Sequence, residues 1–155
     1  WLSSQRGDWM LLLVGIPEEY SVEQLRDYVL RQCGTGRVFV HDGTDTPPPY
    51  AVASLFLLPS HSENFGLVVA EALVRGVPVL TTDTTPWKKL QSVGAGHCGP
   101  WDGYGRSLDL LLAEAPETLA TRGRLGAVWA KEEFSWTKTA RTLAGFYETL
   151  RAAAR

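Results

Sequence analysis

From Ser54 to Leu80 the chain reads SLFLLPSHSENFGLVVAEALVRGVPVL, and that order of residues leaves few folds open. Ser54 to Leu58 is a short apolar run stopped by Pro59, the pattern of a buried strand. Gly66 to Arg75 reads as a helix, and Gly76 ends it. Val77 to Leu80 is apolar again and forms the next strand. Strand, helix and strand in direct succession make a βα unit with parallel strands.

The alternation continues in both directions. Trp9 to Val14 (WMLLLV), closed by Gly15 and Pro17, suits a strand buried on both faces. Ser21 is an N-cap with Gln24 at capping-box spacing. Val22, Leu25, Val29 and Leu30 then recur at helical spacing until Gly34 and Gly36. Arg37 to Val40 is a further strand, and His41 to Pro49, with prolines at 47, 48 and 49, is a loop. Lys88 to Val93 reads as a short helix, and a fifth strand is expected near His97 and Cys98. Beyond Tyr104 the pattern is helical: Leu108, Leu111 and Leu112 begin it, Pro116 sits at the first turn of the next helix, and Ser135 caps the last. The apolar positions of that last helix are Trp136, Leu143, Phe146, Tyr147 and Leu150. The fold class expected is α/β: a doubly wound, mostly parallel sheet flanked by helices. Ligands of such sheets sit outside the carboxyl ends of the strands, at a switch point. Pro59 to Phe65 leaves a strand and enters a helix, so the site is expected there.

Composition narrows the function classes. The 155 residues suffice for one domain with its own core. A formal charge of -2 supplies no basic field for nucleic acid, and no local basic patch replaces it. Cys33 and Cys98 form neither a disulfide framework nor a metal-ligand pattern, and two reduced thiols in a cytoplasmic protein are expected. No apolar run approaches the roughly 18 residues of a membrane span. The chain opens at Trp1, inside what reads as the end of a helix, so a piece of a longer protein is expected.

The loop before the Gly66 helix has the chemistry of an anion site. Gly66 has no side chain and lets a ligand approach the backbone. The amides of Phe65, Gly66 and Leu67 lie at a helix N-terminus, lack intrahelical partners and sit at the positive end of the dipole. That suits a phosphate. Glu63 overhangs this point and Glu71 follows in the second turn. A carboxylate accepts two hydroxyl hydrogen bonds, as a vicinal diol demands. A nucleotide sugar, with hydroxyls on both sides of its pyrophosphate, fits. Two glutamates eight positions apart are ordinarily solvated, so the order of the whole segment carries the argument rather than the pair.

That order resembles the C-terminal domain of GT-B retaining glycosyltransferases of family 4. Their pattern, like PS-x-x-E-x-FG-x-x-x-x-EAL-x-x-G-x-PV, stands here as Pro59, Ser60, Glu63, Phe65, Gly66, Glu71, Ala72, Leu73, Gly76, Pro78 and Val79. The LLLVG run and the FSW stretch at Phe134 to Trp136 extend the resemblance over nearly the whole chain. It implies that Glu63, the catalytic candidate, holds hydroxyls of the donor hexose, with Asn64 beside it. His61 is a donor-contact candidate on its position next to that site alone, where a surface loop histidine is an equal alternative. The resemblance also implies that Phe65, Gly66 and Leu67 offer amides to sugar and pyrophosphate, that Glu71 binds the ribose diol, and that Thr85, in the loop Thr84 to Trp87, faces the same cleft. The family often has a Gly-Gly turn there and a glutamate after it; this chain has Lys88 and Lys89. The family's basic pair after the domain's first strand is not in view, nor is the N-terminal acceptor domain. The resemblance therefore implies residues 1–155 as one N-terminally truncated donor domain, inactive alone. It implies a nucleotide-diphosphate-sugar co-substrate, no other cofactor and no metal, and a glycan, lipid or other acceptor held by the absent domain. The parent is expected in the cytoplasm or peripherally at a membrane surface.

Other motifs weigh less. Gly94 to Gly99 matches G-x-G-x-x-G, but Pro100 follows at once and no helix opens at its last glycine, so a loop is expected. Around His41 and His97 no Ser-His-Asp set or metal spacing emerges. A non-catalytic nucleotide- or glycan-binding module, a nucleotide-sugar epimerase and a phosphorylase share the expected architecture. A two-carboxylate glycosidase using Glu63 and Glu71 leaves the phosphate site unexplained.

Overall fold

Residues 9–15, 19–33, 36–45 and 49–153 are described by a computed structural model. The helix end expected at Trp1, the stops at Pro17 and Gly34, Pro47, Pro48 and the Cys33 side chain lie outside the described parts. The chain forms two compact units, Trp1–Pro49 and Tyr50–Arg155.

In the first unit, strand β1 (Leu11–Gly15) pairs in parallel with β2 (Val38–Asp42), Leu11 opposite Val38. Helix α1 (Val22–Cys33) lies between them in sequence. Its capping box is made as the spacing predicts: the Gln24 amide donates to Ser21 Oγ at 3.2 Å, and the Ser21 amide to Gln24 Oε1 at 2.8 Å. Glu23 in the first turn and Arg31 in the last suit the dipole. Ser21→Ala is expected to weaken α1 by about 1 kcal/mol, seen as faster amide exchange in its first turns; unchanged exchange would argue that the cap contributes nothing.

Two expectations for this unit need correction. β1 is not buried on both faces: Leu12 and Val14 are exposed, as is Leu30 of α1. Among the described residues of this unit α1 is the one helix, and it packs on β2. Both strands are also shifted toward the C-terminal ends of their apolar runs: β1 starts at Leu11 and ends at Gly15, and β2 extends through His41 and Asp42, whose Oδ1 accepts from the Thr44 amide at 2.9 Å and so closes the turn.

In the second unit β3 (Phe56–Leu58), β4 (Val79–Thr82) and β5 (Gly96–Gly99) form a wholly parallel sheet in that order. Helix α2 (Leu67–Val74) links β3 to β4. Helices α3 (Tyr104–Leu112), α4 (Pro116–Glu133) and α5 (Trp136–Ala153) follow. The expected α/β, Rossmann-like class holds, with the parallel strands divided between two sheets. Val69, Leu73, Val79, Trp87 and Leu90 are buried in the core of this unit. Gly76 ends α2 as predicted: at φ 79° it lets its amide reach Leu73 O and the Val77 amide reach Ala72 O, at 2.8 and 3.0 Å.

β4 runs two residues later than its apolar stretch, since Pro78 has no amide to give the ladder. Its carbonyl still accepts from Phe56 N at 2.9 Å. The strand continues into Thr81 and Thr82, whose hydroxyls are satisfied internally and which are therefore fully buried. The fifth strand expected near His97 and Cys98 forms as β5, inside the Gly94–Gly99 stretch otherwise read as a loop, and no helix opens at Gly99 to make a dinucleotide fingerprint. Lys88 to Val93 holds only a 3₁₀ turn, Lys88–Leu90. Pro116 does open α4, and Ser135 Oγ accepts from the Lys138 amide at 3.2 Å at the start of α5. The apolar positions of α5 are not buried: Trp136, Leu143, Phe146, Tyr147 and Leu150 are all exposed, for no described element packs on them.

Candidate functional site

The loop after β3 is tied to the end of β4 by threonines. Thr81 Oγ1 donates to Leu58 O at 3.0 Å. The Ser60 carbonyl accepts from the hydroxyls of both Thr82 and Thr84, the latter at 2.6 Å. Ser60 Oγ in turn donates to Ser62 O at 2.9 Å. The chain leaving β3 is thereby held over the carboxyl end of the sheet without an apolar core of its own.

Gly66 then turns into α2 in the left-handed region, φ 73° and ψ 64°, and no side chain caps the helix. The indole N–H of buried Trp87 donates to the Phe65 carbonyl. The peptide between Phe65 and Gly66 is trans, so its N–H points away from the carbonyl that Trp87 holds. No described carbonyl or side chain accepts from the Gly66 or Leu67 amides. The helix thus presents unsatisfied donors and the positive end of its dipole at one place.

Glu71 stands one turn further along α2 and is half-buried. Its Oε2 accepts from the Tyr50 hydroxyl at 3.2 Å. Arg75, at the i+4 position where it would ordinarily pair with Glu71, instead lies over the Tyr50 ring, 5.0 Å from its centroid, and donates to the Glu71 backbone carbonyl at 3.1 Å. Among the described residues Glu71 enters no ion pair. Burial, followed by the Glu71 charge, pushes the Tyr50 phenol up to about 12, so it remains a donor at neutral pH. Burial also raises the Cys98 thiol and the Tyr104 phenol.

The sequence-predicted residues divide. Gly66, Leu67 and Glu71 lie together on the first turns of α2, with half-buried Glu63 and exposed Asn64 on the loop before it. His61 stacks on Trp101, ring centroids 3.9 Å apart and planes 23° apart. The Phe65 ring joins Trp87, Trp129 and Phe134 in an aromatic cluster, while only its backbone borders the helix N-terminus. Thr85 is turned inward: it is buried, and its hydroxyl donates to Thr82 O at 2.8 Å. Lys89 lies 3.9 Å from Glu133, and Lys88 is exposed. A recess of about 220 Å³ in the aromatic cluster, between Phe65, Trp87, Trp129 and Phe134, includes neither Glu63 nor Glu71. Sequence reasoning missed Tyr50 and Trp101, because neither lies within the spacing that marks the glutamates. Among the described residues no His, Cys, Asp and Glu cluster is arranged to hold a metal, and no helix is long and apolar enough to cross a membrane.

A parallel sheet whose connecting loop delivers an uncapped helix N-terminus defines a Rossmann-like α/β domain. Residues 2–102 match the family described as Glycosyl transferases group 1, and the chain belongs to it. It is 29% identical over 154 residues to the lipopolysaccharide core biosynthesis mannosyltransferase LpsB of Rhizobium meliloti, covering 94% of this chain and 44% of that protein. It is 36% identical over 105 residues to the D-inositol 3-phosphate glycosyltransferase of Gordonia bronchialis, covering 63% of this chain and 22% of that protein. Among solved structures, sucrose-phosphate synthase from Thermosynechococcus elongatus matches with a TM-score of 0.70 and 27% identity, over 93% of this chain and 39% of that one. The chain thus spans less than half the length of these relatives.

Proposed function

We propose that this chain is the donor-binding, C-terminal domain of a retaining, metal-independent glycosyltransferase of the GT-B fold, family 4. The parent moves a sugar from a nucleotide-diphosphate donor to an acceptor held by another domain. The observation that carries this reading is the open N-terminus of α2, with Gly66 left-handed, the Gly66 and Leu67 amides unaccepted, and a cation-free Glu71 one turn away. The amides take the diphosphate, Glu63 takes hydroxyls of the transferred sugar, and Glu71 takes the ribose diol. His61 and Asn64 border the sugar. Stabilisation of the departing diphosphate by preoriented amides supplies the electrostatic part of catalysis. Thr85 supports the loop rather than the ligand, as its burial indicates. The domain alone performs no transfer, and the parent works in the cytoplasm or at its membrane surface.

The test is an NMR titration of this chain with UDP, GDP and ADP at millimolar concentration, where even a binding free energy of about 4 kcal/mol is detected. One nucleotide is expected to shift the amides of Phe65 to Glu71, and Glu71→Ala to lose most of that response. Equal responses in wild type and Glu71→Ala would remove Glu71 from the site; no response to any nucleotide would overturn the reading. Transfer activity in the parent separates an enzyme from a binding module.

A further inference from the structure

We propose that Tyr50 is a positioning residue for Glu71: its hydroxyl holds one carboxylate oxygen and its ring holds Arg75 aside, leaving the other oxygen to a vicinal diol of the bound nucleotide. The inference rests on the donor-binding reading above and assigns a residue that the glutamate spacing does not reach.

The geometry has three parts. First, a helical Glu with Arg four residues later ordinarily forms a side-chain ion pair. Here the guanidinium lies over the Tyr50 ring, and its Nη1 donates to the Glu71 backbone oxygen instead. The carboxylate that a ligand needs is thereby kept clear of the nearest cation. Second, the Tyr50 hydroxyl lies 3.2 Å from Glu71 Oε2 and 3.3 Å from Val68 O, both on α2. A phenol has one proton, so the two acceptors share one donor and the hydroxyl is bracketed between them. Third, Tyr50 is itself held by packing. It is buried, packs on Phe56 with ring centroids 5.9 Å apart, and begins the turn Tyr50–Val52 that precedes β3. A carboxylate held by a fixed neutral donor loses less side-chain freedom when a diol binds. The raised phenol pKa keeps that donor protonated throughout the neutral range.

Calorimetric titrations of this chain with UDP, GDP and ADP, and with their 2′,3′-dideoxy counterparts, test the assignment. Wild type is expected to prefer the diol-bearing member of the pair it binds. Tyr50→Phe keeps the ring under Arg75 and removes the hydroxyl; it is expected to lose about tenfold in affinity for the diol-bearing nucleotide and nothing for its dideoxy counterpart. Tyr50→Leu, which also frees Arg75, should lose more. In a Glu71→Gln background Tyr50→Phe should have no further effect. Equal weakening of both nucleotides by Tyr50→Phe would make Tyr50 a packing residue and overturn the inference, as would an unaltered diol preference. A wild type that binds nucleotides without diol preference would overturn the role of Glu71 and that of Tyr50 with it. A wild type that binds none would overturn the donor reading itself.

Discussion

Trp87→Ala is expected to cost about 3–5 kcal/mol, read as a shift in the urea midpoint followed by far-UV circular dichroism. Trp87 is only 2% exposed, and its ring centroid lies 5.2 Å from Phe65, 5.9 Å from Trp129 and 5.1 Å from Phe134. Those ring pairs are edge-on or tilted, the favoured arrangement for aromatic quadrupoles. Truncation leaves a cavity where three aromatic side chains meet. Trp87→Phe separates packing from hydrogen bonding. It keeps an aromatic ring but abandons the Phe65 carbonyl, at a cost of about 1–3 kcal/mol. Because that carbonyl orients the Gly66 amide, the Phe variant should also bind nucleotide diphosphate more weakly than its stability loss explains. A Trp87→Ala variant within 1 kcal/mol of wild type would show that the cluster is incidental.

Gly123→Ala is expected to destabilise the second unit by about 3 kcal/mol, at the top of the overpacking range. A Cβ at position 123 would lie 1.8 Å from the carbonyl oxygen of Gly76, and a backbone turn cannot swing aside as a side chain can. Within a helix the same substitution would otherwise gain up to about 1 kcal/mol from propensity; the clash exceeds that. Gly126→Ala should cost less, since its nearest obstacle at 2.7 Å is the end of the Leu73 side chain, although Ala95 stands close behind. Gly145→Ala in α5 meets nothing within 4 Å and should be neutral or stabilising. Urea titrations of the three variants should rank them in that order. Gly123→Ala matching Gly145→Ala would mean that α2 and α4 do not pack as closely as the structure has them.

The contrast between these helices bears on what could be read beforehand. α2 was legible because its ends are local chemistry: Gly66 at a left-handed start and Gly76 in a left-handed stop need no knowledge of the rest of the chain. The capping box at Ser21 and Gln24 and the Pro116 start of α4 were legible for the same reason. Apolar content alone places β4 two residues early, because it does not mark every buried position. Thr81 and Thr82 are buried through hydrogen bonds to carbonyls of the neighbouring strand and loop, more than twenty residues away in sequence. A position just after a strand suggests that Thr85 faces a ligand; its hydroxyl instead turns back to Thr82 O.

The order strand, Pro-Ser, Glu, Phe-Gly, helix, Glu was enough to locate an α/β unit, its turn and the two carboxylates, because glycine, proline and capping residues constrain the backbone within a few positions of themselves. Which groups those carboxylates meet was not written at that range. That Tyr50 holds Glu71, that Arg75 is drawn from its helical partner to an aromatic ring, that Trp87 turns the Phe65 peptide, and that Gly123 admits a carbonyl all depend on segments remote in sequence. Their contacts arise from close packing, where one atom too many or one hydrogen bond too few is felt, and no pattern of residue types encodes such distances.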